Sequence, residues 1–169
     1  FLCEADIDST YTPSLKVNPP LRTAEDAAAL VEGVKDGSVD CIVTDHAPHT
    51  AYEKAREFEL APFGMVGLET SLGLMVTNLV STGALTWSQL VELMAVNPRR
   101  VLNVEQVSIQ PGMTADLTVI DPDVEWTVDP AEFASKAQNS GFAGARLKGR
   151  ATDVYVGGYA TLEDGQIVE

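Results

Sequence analysis

An α/β domain that closes near Asn103 and passes into a small β domain is the fold class this sequence predicts. Three observations predict it. An apolar, β-branched run at residues 39–44 follows a helical pattern at residues 24–36, which suits a strand buried on both faces of a parallel sheet or barrel. Two more helical stripes occupy the stretch up to Leu102. Beyond residue 104 the apolar spacing becomes that of strands, punctuated by Pro111-Gly112, Asp121-Pro122, Gly157-Gly158 and Asp164-Gly165. The expected domains are therefore residues 1–104 and 105–169.

The elements follow in order. Pro13 and Pro19-Pro20 make residues 11–22 a loop and push Asn18 towards an extended conformation. Thr23 caps a helix over residues 24–36, with Ala27, Leu30, Val31 and Val34 on one face, Asp26 in the first turn and Gly37 as the stop. After the strand at residues 39–44, residues 50–63 are polar and read as a long loop with one helical turn, and loops of that length often carry function. Leu68, Leu72, Met75, Val76 and Leu79 form a helical stripe that stops before Gly83, and Met65 and Met75 read as core filler. Thr86 and Gln89 fit a capping box ahead of Leu90, Val91, Leu93 and Met94. Asn97-Pro98 restarts a short helix through Leu102. In the β part, strands are expected at residues 115–120, closed by Asp121-Pro122, and at residues 125–128. A glycine-turn hairpin pairs residues 152–156 with 159–162, and a last strand covers residues 166–168.

Composition excludes whole classes of function. The chain has 169 residues, 45% of them apolar, enough to bury one core and a small second one. Lys+Arg 11 against Asp+Glu 25 leaves a net charge of −14, which repels a phosphate backbone and an anionic membrane surface alike. No run of about 18 apolar residues offers a membrane span, and no basic region followed by an apolar run marks a signal peptide at the start. The 2 cysteines, Cys3 and Cys41, make no disulfide framework, and Cys41 reads as a small hydrophobe in a reducing, cytoplasmic setting. Phe1 stands where an initiator Met would be, so a piece of a longer protein is expected.

The chemistry concentrates at Thr44-Asp45-His46-Ala47-Pro48-His49, where an apparent strand delivers a carboxylate and two imidazoles into one short loop. Parallel α/β folds put their chemistry at the carboxyl ends of strands. The chain holds only 2 histidines, however, and a catalytic metal usually has at least three protein ligands, so most of any metal site is expected outside it.

Three segments in order carry a resemblance: Lys16-Val17-Asn18-Pro19-Pro20-Leu21-Arg22, the Asp45 to His49 loop, and Ala61-Pro62-Phe63-Gly64-Met65-Val66-Gly67-Leu68-Glu69-Thr70. Together they resemble bacterial dihydroorotases of the amidohydrolase superfamily. The stretch Pro111-Gly112-Met113-Thr114-Ala115-Asp116-Leu117-Thr118-Val119-Ile120-Asp121 resembles the small β domain of amidohydrolases, a part shared by many activities. The resemblance implies the C-terminal part of a (β/α)8 barrel of the metal-dependent hydrolase type, followed by part of a small β-sandwich domain. It also implies one or two zinc ions, whose activated water opens the ring amide of dihydroorotate, reversibly with cyclisation of carbamoyl-aspartate in pyrimidine biosynthesis.

By the same resemblance Asp45 is both metal contact and proton shuttle, a role that suits a carboxylate beside a dication because it stays ionised and can take a proton from water. Taken alone, Asp45 would read as a helix cap. His49 and Asn18 would hold the substrate carboxylate, and Phe63 and Gly64 would approach the pyrimidine ring, the glycine letting backbone come close. The plainer readings are a loop histidine that caps backbone groups and an aromatic that anchors its loop. His46 reads as a packing residue turned from the pocket, Arg22 as a structural ion pair at a helix mouth, and Lys16 as solvated or packed.

The family's paired His-x-His and its remaining metal ligands would precede Phe1. A barrel needs about 200 residues or more, so the chain alone is expected to be inactive, to bind zinc poorly and to associate with the rest of its parent. The parent is expected to be a homo-oligomer, with aspartate carbamoyltransferase as a further expected partner. Alternatives are a related cyclic amidohydrolase (dihydropyrimidinase, hydantoinase or allantoinase), or a catalytically silent dihydroorotase-like partner of aspartate carbamoyltransferase.

Overall fold

The computed structural model describes residues 1–168. They divide into two compact units: Phe1–Ser71 with Thr127–Arg146, and Leu72–Trp126 with residues 147–168.

In the first unit, α1 (Glu4–Thr10) is an element that apolar spacing does not predict, since it buries no residue. Its ends hold it. The Cys3 N–H donates to the Asp6 carboxylate at 2.7 Å, and Tyr11, at φ 50°, closes the other end by donating to the Ile7 carbonyl at 2.7 Å. A single 3-10 turn, Pro13–Leu15, then buries Leu15, and the Asn18-Pro19 bond that follows is cis. α2 (Ala24–Asp36) has the predicted bounds, and its start is the reciprocal Thr23 and Asp26 box, at 3.1 and 3.2 Å. Gly37 ends it at φ 84°. Leu30 on its apolar face stays 65% exposed.

Residues 39–44 correct the sequence reading. They form no strand among the described residues, and Val43 is 77% exposed. A β-branched run has the propensity for extended backbone, but a strand exists only where a neighbour completes its ladder. The pairing present is one parallel bridge between His46 and Met65, with the Ala47 N–H on the Met65 carbonyl at 2.9 Å. α3 (Ala51–Lys54) is the helical turn expected in the long polar loop, capped by Thr50 and Glu53.

α4 (Leu68–Met75) runs on through a π turn, Val76–Val80, which the Ser81 N–H closes on the Val76 carbonyl at 2.8 Å. α5 (Trp87–Val91) starts at the predicted Thr86 and Gln89 box and passes through a second π turn, Glu92–Val96, into α6 (Asn97–Val101). Leu79, Leu85, Leu90 and Leu93 are buried along this stretch.

The sheet of the second unit has the order β1-β2-β3-β4, with β1 (Leu117–Thr127), β2 (Arg146–Val156), β3 (Tyr159–Glu163) and β4 (Gln166–Ile167). β3 pairs antiparallel with both neighbours. The two turns are as predicted, Gly157-Gly158 at φ 60° and 85°, and Asp164-Gly165 at 47° and 74°. Here too there is a correction: Pro122 does not split residues 115–128 into two strands. β1 lies at the sheet's edge, where a missing N–H breaks no ladder, and the Asp121 carboxylate takes up the Asp123 N–H at 2.9 Å. Val76, 1% exposed, packs on Gly149, and Thr77 Oγ1 accepts the Lys148 N–H at 2.7 Å, so the π turn and the β2 strand are in direct contact.

Candidate functional site

The residues singled out by sequence lie in the first unit, on two loops that run side by side. Asp45 is exposed, at φ 42°, in the left-handed region that Asp and Asn tolerate better than other side chains. Its carboxylate makes no hydrogen bond or ion pair among the described residues. Such a group is free to meet a ligand. His46 turns the other way. Its Nδ1 accepts the N–H groups of Gly67 at 3.1 Å and Leu68 at 3.4 Å, at the start of α4, so that nitrogen carries no proton and caps the helix.

His49 faces the second loop. Its Nε2 lies 2.8 Å from the Phe63 carbonyl, which only accepts, so Nε2 holds the proton and Nδ1 is left for another partner. Gly64 sits at φ 124°, and a Cβ there would lie 2.5 Å from the Ala47 Cβ and 3.3 Å from His49 Nε2. The glycine is what lets the loops touch. Phe63 is 54% exposed, under the Lys16 ammonium, which lies 4.6 Å from its ring centroid and donates to the Glu59 carbonyl at 2.8 Å. Lys16 is thus packed on aromatics. Asn18 is exposed, and its loop is tied in through the Lys16 carbonyl, which accepts the Gly64 N–H at 2.8 Å. Arg22 makes the expected exposed ion pair, 3.7 Å from Asp26. The structure brings His49, Phe63 and Gly64 into direct contact, holds Asn18 on the adjoining loop, and leaves Asp45 four residues before His49 with its carboxylate open.

Sequence reasoning missed two residues. Asn139, 6% exposed, joins both loops: Oδ1 accepts the His49 N–H at 3.1 Å, and Nδ2 donates to the carbonyls of Ala47 at 3.1 Å and Gly64 at 3.2 Å. Its signal in the sequence is nil, since the side chain acts 75 to 92 residues from its partners. Lys54, 7% exposed, donates to the carbonyls of Gly64 at 2.9 Å and Pro62 at 3.0 Å. Burial lowers its pKa from the usual 10.5, and the nearby Lys16 ammonium adds to this. The sign is that of a depressed lysine: the folded chain releases the proton first, so stability rises with pH between the lowered value and 10.5. At neutral pH the ammonium serves the carbonyls. Lys54→Met takes the donor from the Pro62 carbonyl and one of two from that of Gly64 in a half-buried loop, and a loss of about 1–3 kcal/mol, read as a shift of the denaturant midpoint, is expected.

No three donors from His, Cys, Asp and Glu come together among the described residues. His46 Nδ1 is committed to the helix start and His49 Nε2 to Phe63. At these loops Asp45 and His49 Nδ1 are the open donors, too few among the described residues to make a metal centre on their own.

Comparison with known proteins shows the family of the chain. The Amidohydrolase family model matches residues 7–167. The chain belongs to the amidohydrolase family. This amidohydrolase chain is 54% identical over 154 residues to a dihydroorotase of Pelotomaculum thermopropionicum, a match that takes in 91% of the chain and 36% of that relative. It is 50% identical over 167 residues to a dihydroorotase of Brevibacillus brevis, covering 99% of the chain and 38% of the relative. Among solved structures it resembles the L-hydantoinase (dihydropyrimidinase) of Arthrobacter aurescens, with a TM-score of 0.91 and 32% identity over 99% of this chain and 38% of that one. A D-hydantoinase (dihydropyrimidinase) from Thermus sp. has a TM-score of 0.83 at 27% identity, over 92% of this chain and 35% of that one. The amidohydrolase chain spans little more than a third of the length of the curated relatives it matches. No helix among the described residues is long and apolar enough to cross a membrane.

Proposed function

We propose that the whole protein containing this chain is a dihydroorotase, which opens the ring amide of dihydroorotate to carbamoyl-aspartate and closes it again in pyrimidine biosynthesis. The observation that carries the reading is that relatives 46–54% identical across at least 91% of the chain bear that name, against 32% for the hydantoinase structure. The local geometry supports it. An open carboxylate at Asp45 stands in one loop with His49, whose Nδ1, once protonated so that both ring nitrogens donate, binds an anionic substrate. Asn18 is proposed as the second partner of the substrate carboxylate, and Phe63 with Gly64 as the edge that meets the ring.

In this reading a water adds to the amide carbonyl carbon and the carbon–nitrogen bond breaks. Asp45 takes the proton that the water gives up and passes it to the departing ring nitrogen, so the carboxylate ends as it began. Zinc is the metal proposed for the whole protein, with Asp45 as this chain's donor. Placing the chain at the closing end of a (β/α)8 barrel, a cytoplasmic setting, a homo-oligomeric parent and a contact with aspartate carbamoyltransferase belong to the same proposal.

The 169-residue chain by itself is expected to turn nothing over. A second reading, a hydantoin or dihydropyrimidine hydrolase, is favoured by the TM-score of 0.91. Assays of the whole protein on dihydroorotate, hydantoin and allantoin, with metal content measured alongside, separate the readings. A kcat/KM for dihydroorotate at least about a hundredfold above the others supports the dihydroorotase, because a site that hydrogen-bonds a substrate group rejects analogues without it. A preference for hydantoin overturns it.

A further inference from the structure

We infer that Asn139 is a positioning residue for the reaction, a buried side chain that ties the His49 loop and the Phe63-Gly64 loop into a single substrate-binding edge. The inference rests on the dihydroorotase reading and goes beyond it, because Asn139 lies outside the three motifs that carry the resemblance.

An Asn side chain has two N–H donors and an oxygen acceptor, and here each is used across the gap between the loops. Oδ1 takes the N–H of His49 itself, at 3.1 Å, which sets the backbone from which the imidazole projects. The two Nδ2 contacts, to Ala47 and Gly64 carbonyls, are divided one to each loop. The main chain of Asn139 adds a fourth tie, accepting the Val66 N–H at 3.1 Å. Because Asn139 is 6% exposed, water cannot readily replace these partners.

The residue is anchored from outside the site as well. The Glu69 carboxylate, in the first turn of α4, accepts the N–H groups of Ala134 at 2.9 Å and Ser135 at 3.0 Å, which fixes the stretch leading to Asn139. Glu69 belongs to the third motif and touches none of the proposed substrate-binding residues, so this anchoring gives it a purpose. Asn139 contacts no reacting atom in the proposed pose. Its action is through His49 and Gly64, and small errors in such support are felt strongly at a site.

The test uses the whole protein. Asn139→Asp keeps an acceptor for His49 but sets a carboxylate oxygen against two carbonyls, and Asn139→Ala removes the side chain without adding charge. Each is expected to raise KM for dihydroorotate about tenfold or more while kcat, per folded and metal-loaded enzyme, stays within about threefold. In a His49→Ala background the same changes are expected to raise KM by a smaller factor, about threefold or less, since only the Gly64 arm of the path remains.

A fall in melting temperature with KM unchanged in both variants would mean a merely structural residue and would overturn the inference, although the dihydroorotase reading would stand. Should the unaltered protein leave dihydroorotate untouched, that reading fails. Amide hydrogen exchange then decides the inference. Asn139→Ala is expected to lower protection at residues 46–50 and 63–66 by tenfold or more with the β2 and β3 hairpin unaffected, and unchanged loops would contradict it.

Discussion

Asp45→Asn in the whole protein is expected to lower kcat at least about a thousandfold, with the stability of the metal-free protein changed by no more than about 0.5 kcal/mol. The two halves of that expectation come from different observations. The catalytic half comes from the proton path, in which an amide side chain can neither take the proton of water nor return it to a ring nitrogen. The stability half comes from exposure and from the absence of any partner for this carboxylate among the described residues. Asn is the informative replacement because the residue stands at φ 42°, a conformation it shares with Asp at small cost. Asp45→Ala would add backbone strain of about 1 kcal/mol or more and blur the comparison. Steady-state rates with denaturant melts of the same preparation stripped of metal check both halves, and appreciable residual turnover by a well-folded Asp45→Asn protein would remove the carboxylate from the mechanism.

Gly64→Ala has the second large effect. Its Cβ would lie 2.5 Å from the Ala47 Cβ, a separation that atoms do not tolerate, at a φ of 124° that side chains rarely adopt. One loop must withdraw from the other, which breaks the reach of Asn139 Nδ2 and of Lys54 Nζ to the Gly64 carbonyl. A loss of about 2–4 kcal/mol is expected, from overpacking together with backbone strain. A rise of KM by tenfold or more is expected too, since the parted loops no longer present His49 and Phe63 together. Thermal melts and KM read the two effects separately, and a variant with native KM would show that the loop contact is irrelevant to binding.

Much of the local structure was legible because its causes are local. The Thr23 and Thr86 caps each lie three residues from their reciprocal partner, and the two glycine-containing turns of the sheet declare themselves by residue type. The strand expected at residues 39–44 failed for the converse reason, since propensity cannot supply a hydrogen-bonded neighbour. Pro122 misled because whether a proline interrupts a sheet depends on which edge the strand occupies, a fact of topology. At the site, the motif loops were visible as a consecutive string of chemistry-bearing residues. Asn139 and Lys54 were not, because a polar side chain that satisfies distant carbonyls has no periodicity and no neighbouring signal.

The measurement that bears most directly on the central claim compares dihydroorotate with dihydrouracil, two rings that differ in the carboxylate alone. If His49 and Asn18 read that carboxylate, the whole protein will favour dihydroorotate by about a thousandfold or more in kcat/KM, and His49→Ala will shrink the preference to about tenfold or less. Comparable turnover of the two rings by the unaltered protein, or a preference that survives His49→Ala intact, would contradict the account.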